Sequence, residues 1–237
     1  MKTLTKISWL LCVVLVTGAA TLFAQNDHAL WGNLSFYEAE NEEIKTEHPP
    51  VQVVFMGNSI TRGWVRAHPS FFKDNRFTGR GIGGQTTPQM LARFRPDVVE
   101  LDPKMVVING GINDIAANTG TYNFEYTLGC IKSMAEIAHA NGIKVILTSV
   151  LPVEMIPWRE EISAVPAKID QLNVAIRDYC KEKGFLYADY YAQMVSKDGS
   201  KSLKAEYTTD GVHVTPAGYE VMESVIMQVI NLSRDAK

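Results

Sequence analysis

The sequence predicts an α/β fold in which a parallel sheet is covered by helices on both faces, and three observations carry that prediction. Short β-branched runs alternate with longer helical patterns from Val51 onward, the pattern that β-α-β units leave in a chain. The helical stretches are punctuated by Thr-Pro at their starts and Gly at their ends. The 237 residues are 46% hydrophobic and 21% charged, enough chain and enough apolar side chain for one domain with a full core. The same composition excludes a disordered chain, a collagen-like repeat and a disulfide-stapled mini-protein.

In chain order, Lys2 and Lys6 precede an uncharged stretch from Ile7 to Ala24, with an apolar centre at Trp9 to Val16 and small residues Gly18, Ala19, Ala20 and Ala24 before the polar Gln25-Asn26-Asp27. Residues 1–24 therefore read as a secretory signal peptide, and the protein is expected outside the cytoplasm, periplasmic or secreted. The stretch approaches the ~20 residues of a spanning helix, so an uncleaved anchor is the alternative. Cys12 lies inside the apolar centre without the small residues of a lipoprotein site. Residues 25–50 form a polar, acidic N-terminal arm with a short helix, its aromatics Trp31, Phe36 and Tyr37 expected to pin it to the domain and its acids to face solvent.

The domain proper is expected over residues 51–237. Five strands are predicted at Val51–Met56, Phe77–Ile82, Met105–Asn109, Ile143–Val150 and Phe185–Asp189. Helices are predicted at Pro88–Phe94, Asn123–Asn141, Pro166–Lys183 and Pro216–Leu232, with Thr87 and Thr215 as hydroxyl caps and Gly142 and Gly184 as C-caps. The connection from Leu151 to Val165 is longer than a strand-to-helix link requires. It follows a strand's C-terminal end, the edge where open parallel sheets bind ligands. Cys130 and Cys180 fall inside predicted helices and read as buried free thiols, with a disulfide as the alternative that export permits. No zinc pattern is present. The net charge of −3 becomes −5 without the two leader lysines, the opposite of what a nucleic-acid binder shows.

Four segments carry residues suited to chemistry. Val53 to Met56 runs into Gly57-Asn58-Ser59-Ile60-Thr61, which sets a serine at the sheet's C-terminal edge; a helix cap is the plainer reading, and the spacing is not the G-x-S-x-G elbow. A serine is a weak nucleophile unless an imidazole takes its proton and donors hold the oxyanion. Thr208 to Pro216 contains Asp210 three residues before His213, a spacing that lets the carboxylate accept the imidazole Nδ1 proton and leaves Nε2 facing a nucleophile. An Asx-type turn beside a surface histidine is the alternative. Arg80-Gly-Ile-Gly-Gly-Gln85 offers backbone N–H groups to a small anionic oxygen; it lacks the spacing of a dinucleotide loop and the lysine of a phosphate loop. Asn109-Gly-Gly-Ile-Asn113-Asp114 presents an amide donor at the same edge, or a capping pair.

Together these four ordered segments resemble the blocks of the SGNH, or GDSL-type, esterase and acylhydrolase family, from about Trp31 to the end of the chain. The resemblance implies a three-layer α/β/α, flavodoxin-like fold on a five-stranded parallel sheet. It implies Ser59 as nucleophile, His213 as general base and then acid, and Asp210 as the residue orienting it. The oxyanion hole would be made by Ser59, Gly84 and Asn113. Asn58 stands where the family usually has Asp, Gln85 where Asp or Asn often follows the glycine, and Val214 where Pro is frequent. Arg80 to Met90, Gly110 to Ala116 and Leu151-Pro-Val with Pro157-Trp158 are similar to exported bacterial members related to platelet-activating-factor acetylhydrolase-like enzymes. That subgroup implies short acyl groups, often acetyl, and neither metal nor cofactor.

The expected activity is therefore hydrolysis of a short-chain O-acyl ester on a small molecule or glycan. Trp158 would stack on a sugar face, and Arg159 would reach its hydroxyl or carboxylate groups. The alternative for Trp158 is a hydrophobic plug that holds the long loop down. The rival activity is a lysophospholipase or thioesterase for longer chains, which requires an apolar groove. A non-catalytic carbohydrate-binding protein and a metal-dependent deacetylase are the readings from other classes. No nucleic acid and no stable membrane partner is expected once the leader is cleaved, and the sequence sets no oligomeric state.

Overall fold

The computed structural model describes residues 31–46 and 50–235; the leader expected over residues 1–24 lies outside them. The chain enters through a 3₁₀ turn at Leu34–Tyr37 and helix α1, Glu38–Thr46, and then builds five parallel strands. These are β1 Val53–Gly57, β2 Phe77–Gly81, β3 Met105–Ile108, β4 Lys144–Thr148 and β5 Leu186–Ala188, in the spatial order β2-β1-β3-β4-β5. The order reverses between β1 and β3, which opens a crevice at their C-terminal ends. β1 and β3 are buried throughout, as their unbroken apolar runs require of strands with both faces covered.

Ten helices among the described residues complete the domain. After α1 come α2 Ser59–Ala67, α3 Pro69–Asn75, α4 Thr87–Ala92, α5 Phe94–Asp97, α6 Ile112–Ile115, α7 Phe124–Ala140, α8 Val165–Lys183, α9 Tyr190–Met194 and α10 Pro216–Asp235. α2 packs on α10, while α4, α7 and α8 pack in series, so helices layer the sheet on either side. The expected three-layer α/β fold is the observed one; β2 to β5 are trimmed by one to three residues where the ladder ends, and β1 starts two residues later and ends one later than expected.

The helices α2 and α3 had no counterpart in the sequence reading. Ile60, Trp64, Phe71 and Phe72 supply their buried contacts, and Gly63 interrupts the apolar periodicity that would have revealed them. The helix expected over Pro88–Phe94 is broken at Arg93, because Pro96 has no N–H to donate to Ala92 and its ring crowds that carbonyl. Its cap is Thr86 rather than Thr87: the Thr86 N–H donates to Gln89 Oε1 at 3.1 Å in a capping box, and Thr87 turns to Asp114. Of the three arm aromatics only Tyr37 is buried, donating its hydroxyl to the Gly81 carbonyl at 2.6 Å, while Trp31 and Phe36 stay exposed. Cys130 and Cys180 are buried free thiols.

Candidate active site

β1 delivers its chain directly into the turn at Asn58 and Ser59. Asn58 caps α2, its Oδ1 accepting the Ile60 N–H at 3.1 Å, which leaves Ser59 as the first residue of the helix. A residue at that position has no intrahelical acceptor for its N–H. The end of β2 presses on this turn: a Cβ on Gly81 would lie 2.4 Å from the Arg62 nitrogen and 2.6 Å from the Asn58 carbonyl oxygen. Only a glycine permits that approach. Gly84 has φ +75°, and its N–H has no backbone acceptor among the described residues.

α6 brings in Asn113, which is buried and donates through Nδ2 to the Gln85 carbonyl at 2.9 Å. The bond uses one of the two amide hydrogens and orients the other. Asp114 beside it accepts from the Thr87 N–H at 3.0 Å and from the Thr87 hydroxyl at 2.6 Å, tying α6 to the start of α4. Burial pushes the Asp114 carboxyl above its ordinary value, opposed by those hydrogen bonds.

The histidine arrives on a self-contained turn just before α10. The Thr208 hydroxyl donates to the His213 carbonyl at 2.7 Å, and Thr208 and Val214 form an antiparallel bridge. Asp210 Oδ1 accepts the N–H groups of Val212 and His213 at 2.9 and 2.7 Å, and its Oδ2 lies 2.6 Å from His213 Nδ1. Burial works against ionisation of Asp210. The bonds from His213 and Val212 outweigh it and hold the carboxyl below its ordinary value. His213 Nε2 then lies 3.1 Å from Ser59 Oγ across 154 residues of sequence.

The spacing between these two loops is set by α2 against α10. Tyr219 donates to the Ile60 carbonyl at 2.9 Å, and its ring stacks on Trp64 at 5.7 Å. Trp64 donates to Glu223 at 3.0 Å, which also meets His68 Nδ1 at 2.6 Å.

Beneath the Ser59 and Gly84 loops lies a cluster that sequence reasoning missed. Arg93 is fully buried and distributes its donors to Gln85 Oε1 at 2.6 Å, Asp97 at 2.7 Å, and the carbonyls of Gly57 and Arg80 at 2.9 and 3.0 Å. Asn41 of the arm joins Asp97 to the buried Arg80. Burial draws both guanidinium pKa values below their ordinary value, and Asp97 opposes the shift.

The long connection is pinned by Leu151, Val153 and Ile156, all buried, and not by Trp158, which is 44% exposed. The Trp158 ring instead stacks on that of His213, 6.0 Å between centroids and 29° between planes. Arg159 bonds Glu161 at 2.5 Å and the Ala117 carbonyl at 3.2 Å. The structure thus brings Ser59, Asp210, His213 and Trp158 together and sets the Gly84 loop and Asn113 beside them.

The model of the GDSL-like lipase/acylhydrolase family matches residues 55–221. A GDSL-like lipase from Bacteroides thetaiotaomicron is 51% identical over 86% of this chain and 99% of its own, with a TM-score of 0.82. A candidate acylhydrolase from Bacteroides fragilis is 50% identical over 86% of this chain and 98% of its own, with a TM-score of 0.83. An uncharacterised lipoprotein of Bacillus subtilis is 26% identical over 72% of this chain and 85% of its own.

Proposed function

Because the chain belongs to the GDSL-like lipase/acylhydrolase family and is a carboxylic ester hydrolase, we propose that it cleaves short O-acyl esters, acetyl above all, through an acyl-enzyme on Ser59. The observation that carries the reading is the line from Ser59 Oγ through His213 to Asp210, at 3.1 and 2.6 Å. Such distances are within reach of proton transfer.

In this mechanism His213 Nε2 takes the Ser59 proton as Oγ attacks the acyl carbon. The oxyanion is held by the N–H groups of Ser59 and Gly84 and by the free amide hydrogen of Asn113. The imidazolium, fixed in its tautomer by Asp210, protonates the leaving alkoxide as the C–O bond breaks. His213 next takes a proton from water, whose oxygen attacks the acyl-enzyme, and returns that proton to Ser59 as the acid leaves. Trp158, exposed beside His213, supports a carbohydrate alcohol, since a sugar face stacks on an indole. The leader-like pattern of residues 1–24, two lysines ahead of an uncharged stretch, and the lipoprotein relative support action outside the cytoplasm.

The test is hydrolysis of 4-nitrophenyl acetate, butyrate, octanoate and palmitate by the wild type and Ser59→Ala. Acetate is expected to be fastest, and Ser59→Ala to lose at least about a thousandfold. A preference for octanoate or palmitate would replace this reading with a long-chain lipase or thioesterase.

A further inference from the structure

We propose that the cavity between the Ala117–Tyr122 segment and the start of α8 is a subsite that accepts a carboxylate carried by the ester substrate. The proposal rests on the esterase reading and names the chemistry that the same cleft selects. The cavity measures about 320 Å³, the size of a small-ligand site, and Arg159, Lys168 and Tyr122 line it with no acidic residue among its walls.

Arg159 and Lys168 reach the cavity with unspent donors. Arg159 commits Nε to Glu161 and Nη1 to the Ala117 carbonyl, and among the described residues Nη2 has no acceptor. Lys168 uses one ammonium hydrogen on the Ser163 carbonyl at 2.8 Å, with its nitrogen 6.0 Å from the Tyr122 ring centre. Tyr122 adds its bulk to the wall, while its hydroxyl is buried out of the cavity's reach and has no partner among the described residues. A neutral hydroxyl answers one or two such donors. A carboxylate offers two oxygens with about four acceptor positions and no competing donor. Two acidic groups lie nearby. Glu161 offsets the charge of Arg159 but leaves its Nη2 donor uncommitted, so Lys168 carries the net positive charge of the cavity. Glu161 holds only Arg159 Nε, and Asp114 is buried with its oxygens taken by Thr87 and Thr127.

Chain neighbours of two lining residues contact the ester-cleaving centre. Asn118, next to Ala117, donates to the Gly84 carbonyl at 3.0 Å, and Trp158, next to Arg159, stacks on His213. An ester bound at Ser59 therefore has the subsite within a residue or two of its oxyanion loop and of its general base.

The experiment compares kcat/KM for two matched pairs of esters. 4-Nitrophenyl monoadipate against 4-nitrophenyl hexanoate places the carboxylate on the acyl side. The monoacetates of methyl glucuronoside and methyl glucoside place it on the alcohol side. One pair is expected to favour its anionic member about tenfold or more at low salt, as a charge-assisted contact provides, and that pair identifies the source of the carboxylate. Lys168→Met and Arg159→Met, checked for folding by circular dichroism, are expected to bring the ratio towards one. Ratios at or below one for both pairs in the wild type, or a ratio unmoved by both variants, overturn the proposal while leaving the esterase reading intact. If none of the four esters is cleaved, the esterase reading falls separately. The subsite is then decided by calorimetry of free adipate and glucuronate against the wild type and Lys168→Met, where no binding of either overturns it.

Discussion

Arg93 lies fully buried under the loops that carry Ser59 and Gly84, holding two backbone carbonyls, an amide and a carboxylate from one guanidinium. His213 and Asp210 are 43% and 41% exposed in their side chains, on a turn whose bonds are made almost wholly within Thr208 to Val214. The two halves of one site are therefore held in opposite ways. The Ser59 and Gly84 loops are fixed from below by a charge network that closes only when the arm, β1, β2 and the α4–α5 junction have assembled. The histidine turn carries its own order and needs from the rest of the molecule only the correct distance, which Tyr219 and Trp64 supply. Donors that must meet a developing charge gain from being immobile. A base that exchanges protons with water gains from solvent access.

That contrast predicts a separation of activity from stability. The largest effect is expected from Asp210→Asn. The asparagine Oδ1 can still accept the Val212 and His213 N–H groups, but its amide would donate to Nδ1 and force the ring proton onto Nε2, so that His213 donates to Ser59 where it must accept. A loss in kcat of about 10³- to 10⁴-fold is expected with a melting temperature within a few degrees of wild type. A comparable loss of stability would show that the turn is not self-contained.

Arg93→Met should do the reverse. It leaves Asp97 charged, buried and without its guanidinium partner, at a cost of about 3–5 kcal/mol that urea unfolding would read. The double variant Arg93→Met with Asp97→Leu should recover part of that cost. If the single variant loses under about 1 kcal/mol, the buried half is not held by this network.

The smallest effect concerns acid. Because the Asp210 carboxyl is held below its ordinary value, its contribution to stability is complete above the unfolded pKa of about 4 and is lost as pH falls through the folded value. Asp114 acts with the opposite sign, since its raised carboxyl takes up a proton earlier in the folded state. Asp114 is common to the wild type and Asp210→Asn, so the difference between their urea midpoints from pH 5 to 2.5 isolates Asp210. The wild type should lose slightly more. Parallel curves would mean that the Asp210 carboxylate adds nothing to the fold.

How much was readable in the sequence follows the same division. Ser59, Asp210 and His213 stand at a strand end or in a short turn, where small residues and local spacing leave marks that a linear reading can find; the glycine-rich segments were visible in the same way, but Gly84 and Asn113 within them were picked out only by the family resemblance. The sheet was legible for a related reason: β1 and β3, covered on both faces, are unbroken apolar runs. Arg93 and Asp97 were not legible, because an arginine four residues before an aspartate looks like any solvated helix pair and nothing local reveals that both are buried. Asn41 was hidden among the acids of the arm for the same reason. Trp158 was half read: its place beside the site was expected, but its stack on His213 depends on how the loop is tucked down by Ile156.

The 154 residues between Ser59 and His213 have a consequence for how the protein comes into being. As the chain is synthesised, Ser59, Gly84 and Asn113 are made well before His213, which follows the last strand, β5, by only a short stretch. Even then His213 Nε2 meets the Ser59 hydroxyl only once α10 has docked Tyr219 and Glu223 against α2. On the mechanism proposed, ester turnover therefore reports that the final helix has closed.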